Sequence, residues 1–321
     1  MSPFELVLNI AVEVGGLSLA STAADDSIRN TGLAQGSFVL SLNTERAISV
    51  VHTDLPGNDF TVLFQTINDD PNSYQRGDRA VFSSAVGRSF YEQILPSNSV
   101  TLAWTSWAVH WLSRCPAPVP DQVQVLFSAD SEARAAFAKQ AANDWSQFLS
   151  LRERELCPGG RLVVLAMAAD HGGQLGQRAL VNAIYGAMLD LQESGFLRAE
   201  EVRRMVIPSM ARTRDEYLAP FAADGHFGAL RVEDIEIYLG EDYFWSAYER
   251  GGDAQTYGAQ WAAFSRASAF PSLAKYLDPD SEDGRAEQFF TRLESAMAAR
   301  VAAKPERVLI PLCKMLLAKE A

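Results

Sequence analysis

The sequence predicts an α/β protein with a Rossmann-like nucleotide-binding core and an α-helical cap. Three observations lead there. A short β-branched run, residues 46–53 (RAISVVHT), delivers Asp54 and then breaks at Pro56-Gly57; a strand that carries an acid to its carboxyl end is how nucleotide-binding α/β folds grip a ribose. Residues 99–105 (SVTLAWT), a long helical pattern at 130–156 and an apolar run at 161–168 (RLVVLAMA) compose a strand–helix–strand crossover, the unit of a parallel sheet. After about residue 170 helical patterns dominate, and only two strand-like runs interrupt them.

Taken in order, the N-terminal stretch FELVLNIAVEVGGLSLAS is apolar, but it lacks a basic leading segment and is interrupted by Glu5 and Glu13, which argues against a signal peptide. The turn LPGNDF ends the first strand and FTVLFQTI continues as a short helix. Residues 66–88, with NDDPNS and RGD, read as a loop. SVTLAWT reads as a strand that runs into a helix carrying Trp107, His110 and Trp111, whose i, i+3, i+4 spacing puts all three on one helical face. Residues 116–122 (PAPVPDQ) cannot be helix interior. Within 130–156, Phe137, Ala141, Trp145, Phe148 and Leu149 repeat at helical spacing; Ser128 or Asp130 can cap the helix and PGG at 158–160 terminates it. Beyond lie expected helices at about 178–194, 199–205, 213–222, 254–266 and 284–303, and expected strands at LRVEDIEIYL and RVLIPLCKMLL.

The bulk properties narrow the function. A chain of 321 residues, 48% hydrophobic, with mean hydropathy near zero, suits a globular protein with a full core. A net charge of −12, with no basic stripe, argues against nucleic acid or an anionic membrane as partner. No apolar run reaches the roughly 18 residues of a membrane span. Cys115, Cys157 and Cys313 are far apart and odd in number, which points to reduced thiols in a cytoplasmic protein and to no metal or disulfide framework.

Few residues invite chemistry. Asp54 suits two ribose hydroxyls, or else it is a turn aspartate before Pro-Gly. Ser89 and Phe90 offer an amide, a hydroxyl and a ring to an adenine, or else a helix cap and a core ring. Trp107, His110 and Trp111 offer N–H donors to a carboxylate and ring faces to an aromatic body, or else a buried aromatic stripe. His52, His171 and His226 read as structural or surface residues. There is no GxSxG elbow and no Walker loop, and HGG at 171–173 reads as a turn.

DLPGNDF, then SFY before a short run ending in proline, then the small-Ser-aromatic stretch through His110-Trp111-Leu112-Ser113 resemble the SABATH family of S-adenosylmethionine-dependent carboxyl methyltransferases. VIPSM at 206–210 resembles that family's cap turn, and DWSQFLSLRERELCPGGRLVVL its helix–PGG–strand unit. The resemblance covers roughly residues 46–320. It implies a class I methyltransferase core over 1–173, with 1–45 divergent, completed by strands near 229–240 and 306–319, and a helical cap from 174–228 and 241–305. It implies S-adenosylmethionine as cofactor, with Asp54 on the ribose, Leu55 packed on adenine, and Ser89 and Phe90 lining the adenine site. Trp107, standing where the family usually has tyrosine, would line the substrate pocket, with His110 and Trp111 holding the carboxylate of a small acid. Catalysis would rest on proximity, with no acid–base dyad. A homodimer is the family expectation.

The first 45 residues depart from that pattern. The family's opening Tyr-Asn-Ser-Gln segment has no counterpart, and its Gly-rich loop is matched only by NTGLAQG at 30–36, where Gly32 and Gly36 keep a plausible spacing and Asn30 stands for an expected aspartate after a strand. Arg203, Arg204 and Met205 fill the stretch where some members place magnesium ligands, so no metal is expected. Two rival readings follow: a non-catalytic binding protein that has lost the cofactor loop, and a nicotinamide-dependent oxidoreductase, which ranks last for want of GxGxxG after a strand.

Overall fold

A computed structural model describes residues 48–71, 73–76, 81–169, 176–278 and 284–320, and the backbone of the strands β1 (Asn9–Glu13), β2 (Leu17–Ser21) and β3 (Phe38–Leu42). Gly32, Gly36 and His171 lie outside the described residues.

The core is an eight-stranded mixed sheet. Its members are β1, β4 (Ile48–Asp54), β5 (Val81–Gly87), β6 (Val100–Ser106), β7 (Leu156–Met167), β8 (His226–Phe227), β9 (Leu230–Gly240) and β10 (Ile310–Lys319), in the order β5-β4-β1-β6-β7-β10-β9-β8. β4 runs parallel to β5 and β6 parallel to β7, whereas β10 is antiparallel to β7 and to β9. The carboxyl ends of β4, β5 and β6 thus place Asp54, Gly87 and Ser106 at the edges from which binding loops spring in doubly wound sheets.

Local chemistry accounts for the helices around this sheet. Helix α1 (Phe60–Asp69) starts at Asp59, whose carboxylate accepts from the N–H groups of Thr61 and Val62 at 2.9 and 3.2 Å. Helix α2 (Ser131–Glu155) starts at Asp130, which accepts from Glu132 and Ala133, so Asp130 rather than Ser128 is the cap. Its inner face, Phe137, Ala141, Trp145, Phe148 and Leu149, is buried as the spacing predicts. Strand β7 begins directly after α2, and Pro158–Gly160 lies inside it rather than before it. Gly159 has φ of +78°, and a Cβ on Gly160 would sit 2.8 Å from the carbonyl oxygens of Cys157 and Val100, so this kink requires glycine.

Beyond the sheet the helices α3 (Arg178–Glu193), α4 (Ala199–Arg204), α5 (Arg214–Leu218), α6 (Tyr243–Glu249), α7 (Ala254–Ser268), α8 (Phe270–Ala274) and α9 (Arg285–Ala303) follow. α3, α7 and α9 share one apolar cluster, with Ile184, Met188, Trp261, Phe289 and Leu293 at its centre.

Three expectations are corrected. Residues 66–88 are not a loop throughout: α1 runs to Asp69, and Val81–Gly87 is an edge strand, half-buried to exposed, that pairs with β4. α6 and α8 are helices too short to show a period in the sequence. The third correction concerns Trp107–Trp111 and belongs to the site.

Candidate functional site

Residues 107–113 form a turn, not a helix. Trp107 has φ of +56°, a left-handed conformation that a tryptophan adopts only under constraint. Its N–H donates to Leu165 O at 2.9 Å and so continues the pairing of β6 with β7. The carbonyls that a helix would bond internally are taken from elsewhere. Val109 O accepts from Arg212 Nη1 at 2.7 Å, His110 O from the Met210 N–H at 2.8 Å, and Trp111 O from the Tyr91 hydroxyl at 2.5 Å. Leu112 N–H donates to Pro208 O at 2.8 Å, and both Ser113 N–H and Ser113 Oγ donate to Asp144. Tertiary hydrogen bonds outweigh the helical spacing.

The turn nevertheless brings the three rings together. His110 lies edge-on to Trp107 at 6.2 Å between centroids and tilted to Trp111 at 5.6 Å. His110 is 3% exposed, and its Nδ1 is buried without a hydrogen-bond partner. Burial, and then the nearby Arg212 charge, lower its pKa to about 3, so the imidazole is neutral near neutral pH. The VIPSM segment pairs with this turn, through Trp111 opposite Ser209. The site is therefore a neutral N–H-bearing ring between two indoles, on a turn clamped from four sides.

The other predicted residues lie at the ends of β4 and β5. Asp54 closes β4; its Oδ1 accepts from the Leu55 N–H at 2.6 Å, and burial raises its pKa more than that bond lowers it. Leu55 is 52% exposed. Arg88 N–H donates to Asp54 O at 2.7 Å, which ties the segment holding Ser89 and Phe90 to the end of β4. Ser89 Oγ accepts from the Tyr91 N–H at 3.2 Å. Phe90 packs edge-on to Phe148 at 6.2 Å and lines, with Thr53, Trp104 and Thr105, a small, half-open cavity between α2 and the sheet. Asp54, Leu55 and Ser89 do not line that cavity. Gly32 and Gly36 lie outside the described residues.

His52 stacks on Tyr74 and bonds its hydroxyl at 2.6 Å; His226 meets Glu320 at 3.1 Å near the surface. Sequence reasoning overlooked Tyr91 and Arg212. The signal for the first was present in the tyrosine of SFY; for the second it was the arginine two residues beyond VIPSM, where no spacing rule draws attention to it.

Among the described residues no helix is long and apolar enough to cross a membrane, and no cluster of His, Cys, Asp and Glu has the arrangement of a metal site.

The profile described as "SAM dependent carboxyl methyltransferase" matches residues 37–316. The chain is 27% identical over 253 residues to gibberellic acid methyltransferase 1 of Arabidopsis thaliana, covering 74% of this chain and 66% of that protein. It is 26% identical over 233 residues to salicylate carboxymethyltransferase of Clarkia breweri, covering 70% and 62%. The matched region thus spans slightly under two thirds of these relatives' length. Among solved structures, loganic acid methyltransferase with SAH superposes with a TM-score of 0.66 at 19% identity, covering 85% of this chain and 74% of that one, which establishes the shared fold. By the extent of the family match, the chain belongs to the SAM-dependent carboxyl methyltransferases of the SABATH type.

Proposed function

We propose that the protein transfers a methyl group from S-adenosylmethionine to the carboxylate of a small, aromatic acid, giving its methyl ester. The observation that carries this reading is the Trp107–His110–Trp111 turn: an imidazole held neutral, and two indoles, gathered at the carboxyl end of β6. A neutral donor binds a carboxylate without protonating it, and a carboxylate is already ionised near neutral pH. The relatives named above are, by their names, methyltransferases of gibberellic acid and salicylate; the indoles favour a flat acid here.

The residues present suit the cofactor in part. The half-buried Asp54 carboxylate and the exposed Leu55 stand side by side at a strand end, an acid for ribose hydroxyls beside an apolar surface for adenine. Ser89 follows Arg88, whose N–H bonds the Asp54 carbonyl, Phe90 turns toward α2, and the methionine end is assigned to Gly32 and Gly36. When bound, the sulfonium supplies an already activated methyl group. The protein's own residues have to orient the acceptor oxygen, fix the turn and exclude water; proximity and orientation of this kind supply roughly 7–11 kcal/mol. Helices α3 to α9 form the cap over the acceptor in this reading. The setting is the cytoplasm, with Cys115, Cys157 and Cys313 as free thiols, and the assembly a homodimer.

One observation favours a second reading, a non-catalytic protein of the same fold. β1 lies between β4 and β6 but runs antiparallel to both, with Asn9 opposite Thr53 and Glu13 opposite Ser49. The chain therefore leaves this central strand at the edge opposite Asp54, whereas a cofactor loop has to leave it at the same edge.

Calorimetric titration with S-adenosylmethionine and S-adenosylhomocysteine decides between them. Saturable binding, weakened at least tenfold in Asp54→Ala, supports the transferase; charged hydrogen bonds to the ribose are worth roughly 1.5–3 kcal/mol each. A folded sample that binds neither nucleoside leaves the second reading.

A further inference from the structure

Among the buried charges of the described residues, Arg212 lies beside the 107–113 turn and has no carboxylate in direct contact. Arg212 is 2% exposed. Its Nη1 donates to Val109 O and its Nη2 to Ala141 O, both at 2.7 Å, while Nε is buried without a partner. The guanidinium packs 5.8 Å from the centroids of the Trp145 and Tyr217 rings. Among the described residues it forms no ion pair; the Tyr91 and Tyr217 phenols lie against it, and the carboxylates nearby, Asp144 and Glu216, are hydrogen-bonded to other groups. Burial raises the pKa of the Tyr91 and Tyr217 phenols and pushes the Cys313 thiol up to about 12. His110 is neutral. Asp144, one turn beyond Ala141 on α2, receives Ser113 N–H at 2.8 Å, Ser113 Oγ at 2.7 Å and Gln140 Nε2 at 2.8 Å. Glu216 is bonded to the Thr213 N–H at 2.8 Å as part of the start of α5.

An arginine cannot shed its proton, and burying its charge with no carboxylate in direct contact is costly. A fold that keeps one there directly behind the acceptor turn has a reason to keep it. We propose that Arg212 is the counter-charge of the acceptor pocket: a positioning residue that clamps the Val109–Trp111 turn through its carbonyls and makes the site select an ionised acid over the neutral ester formed from it. This rests on the methyl-transfer reading and extends it to product release. In the transfer, an electron pair of a carboxylate oxygen forms the new O–C bond and the electrons of the S–C bond stay on sulfur, so the negative charge of the acceptor and the positive charge of the sulfonium vanish together. The ester then no longer balances Arg212 and leaves. The forked guanidinium fits because its two terminal nitrogens each meet a carbonyl of a different element in one rigid plane, a geometry that a lysine's single nitrogen does not reproduce.

The test uses the protein loaded with S-adenosylhomocysteine, whose binding is verified first, and three probe pairs: benzoate, cinnamate and indole-3-acetate, each with its methyl ester. Affinities are measured by calorimetry for wild type, Arg212→Met and Arg212→Lys, and the thermal midpoint of each is recorded. The wild type is expected to favour the acid over the ester by tenfold or more in its tightest pair, on the order of a close charge interaction. Arg212→Met is expected to bring that ratio to about one through weaker acid binding, with ester affinity within about threefold of wild type. Arg212→Lys is expected to keep most of the ratio while weakening both ligands. If acid and ester weaken together in Arg212→Met, or if the ratio does not change, Arg212 is structural and the inference is overturned. A wild-type protein that binds nucleoside but no probe overturns the acceptor assignment, and the inference with it. Should Arg212→Met not fold, Arg212→Gln replaces it against Arg212→Lys with the same criteria.

Discussion

Two buried charges in this molecule have opposite surroundings. Glu201, in the helical layer, is 1% exposed and fully paired. Arg285 grips both its oxygens at 2.5 and 2.8 Å, and the N–H groups of Arg198 and Asp278 add bonds at 2.8 and 2.9 Å. Arg212, beside the 107–113 turn, is as buried and has two carbonyls, two ring faces, the neighbouring Tyr91 and Tyr217 phenols and an unpaired Nε, but no carboxylate in direct contact. His110 next to it has an unpaired Nδ1. A complete set of partners suits a charge that holds the fold together; the incomplete set around Arg212 is what the proposed acceptor role accounts for.

The largest effect expected from this contrast is in the helical layer. Glu201→Ala leaves Arg285 without its carboxylate and should cost about 3–5 kcal/mol of stability, measured by urea unfolding. The pH dependence follows the same pair. Arg285 first of all, and the backbone N–H groups next, depress the folded pKa of Glu201 from 4.5 to about 2. The stabilisation is therefore complete above the unfolded value near 4.5 and is lost as pH falls from there towards 2. Wild type should lose stability over that window more steeply than Glu201→Ala. Parallel slopes would mean that the pair contributes little.

A smaller effect tests how tightly the same layer is packed. A Cβ on Gly258 of α7 would lie 2.4 Å from Ala298 O and 3.0 Å from Ala302 N, both backbone atoms of α9. Helix–helix contact at this distance requires glycine, so Gly258→Ala should cost about 1–3 kcal/mol by overpacking. A midpoint unchanged by the substitution would show that α7 and α9 leave room for a methyl group at this crossing.

What the sequence made legible divides along the same line. β4, β6, β10 and α2 were readable because burial writes itself as a period: Phe137, Ala141, Trp145 and Phe148 face inward at the spacing of a helix, and Ile48 and Val50 at that of a strand. Asp130 was readable as a cap and Asp54 as a strand end. The edge strand β5 was not, because Phe82 is exposed and its pairing with β4 comes from a distant part of the chain. The turn at 107–113 was misread for a sharper reason. Its spacing is helical, but the carbonyls of Val109, His110 and Trp111 are claimed by Arg212, Met210 and Tyr91, about 100, 100 and 20 residues away in sequence. Side chains that act by clamping another segment have no local signature, which is why Arg212 and Tyr91 escaped notice while the rings they position did not. The order of motifs, rather than any period, identified the family.

The smallest expected stability effect is the most informative about the site. If His110 belonged to the structural class that Glu201 represents, removing it would destabilise the fold. Its ring carries instead an unpaired buried nitrogen, and replacing such a group by an apolar one is close to neutral, since the unmet hydrogen bond disappears together with the ring. His110→Leu should therefore shift stability by less than about 1 kcal/mol, the loss of ring packing against Trp107 and Trp111 offsetting the relief. Affinity for a benzoate-type acid should fall by roughly tenfold or more, because a neutral N–H donor beside the Arg212 charge is lost. Thermal unfolding and calorimetry on the same sample read the two quantities. A variant as destabilised as Glu201→Ala would place His110 with the structural residues, and one that binds the acid normally would remove it from the acceptor site. A stable variant that has lost the acid would put the imidazole and Arg212 in the same class: groups the fold leaves incomplete because the ligand completes them.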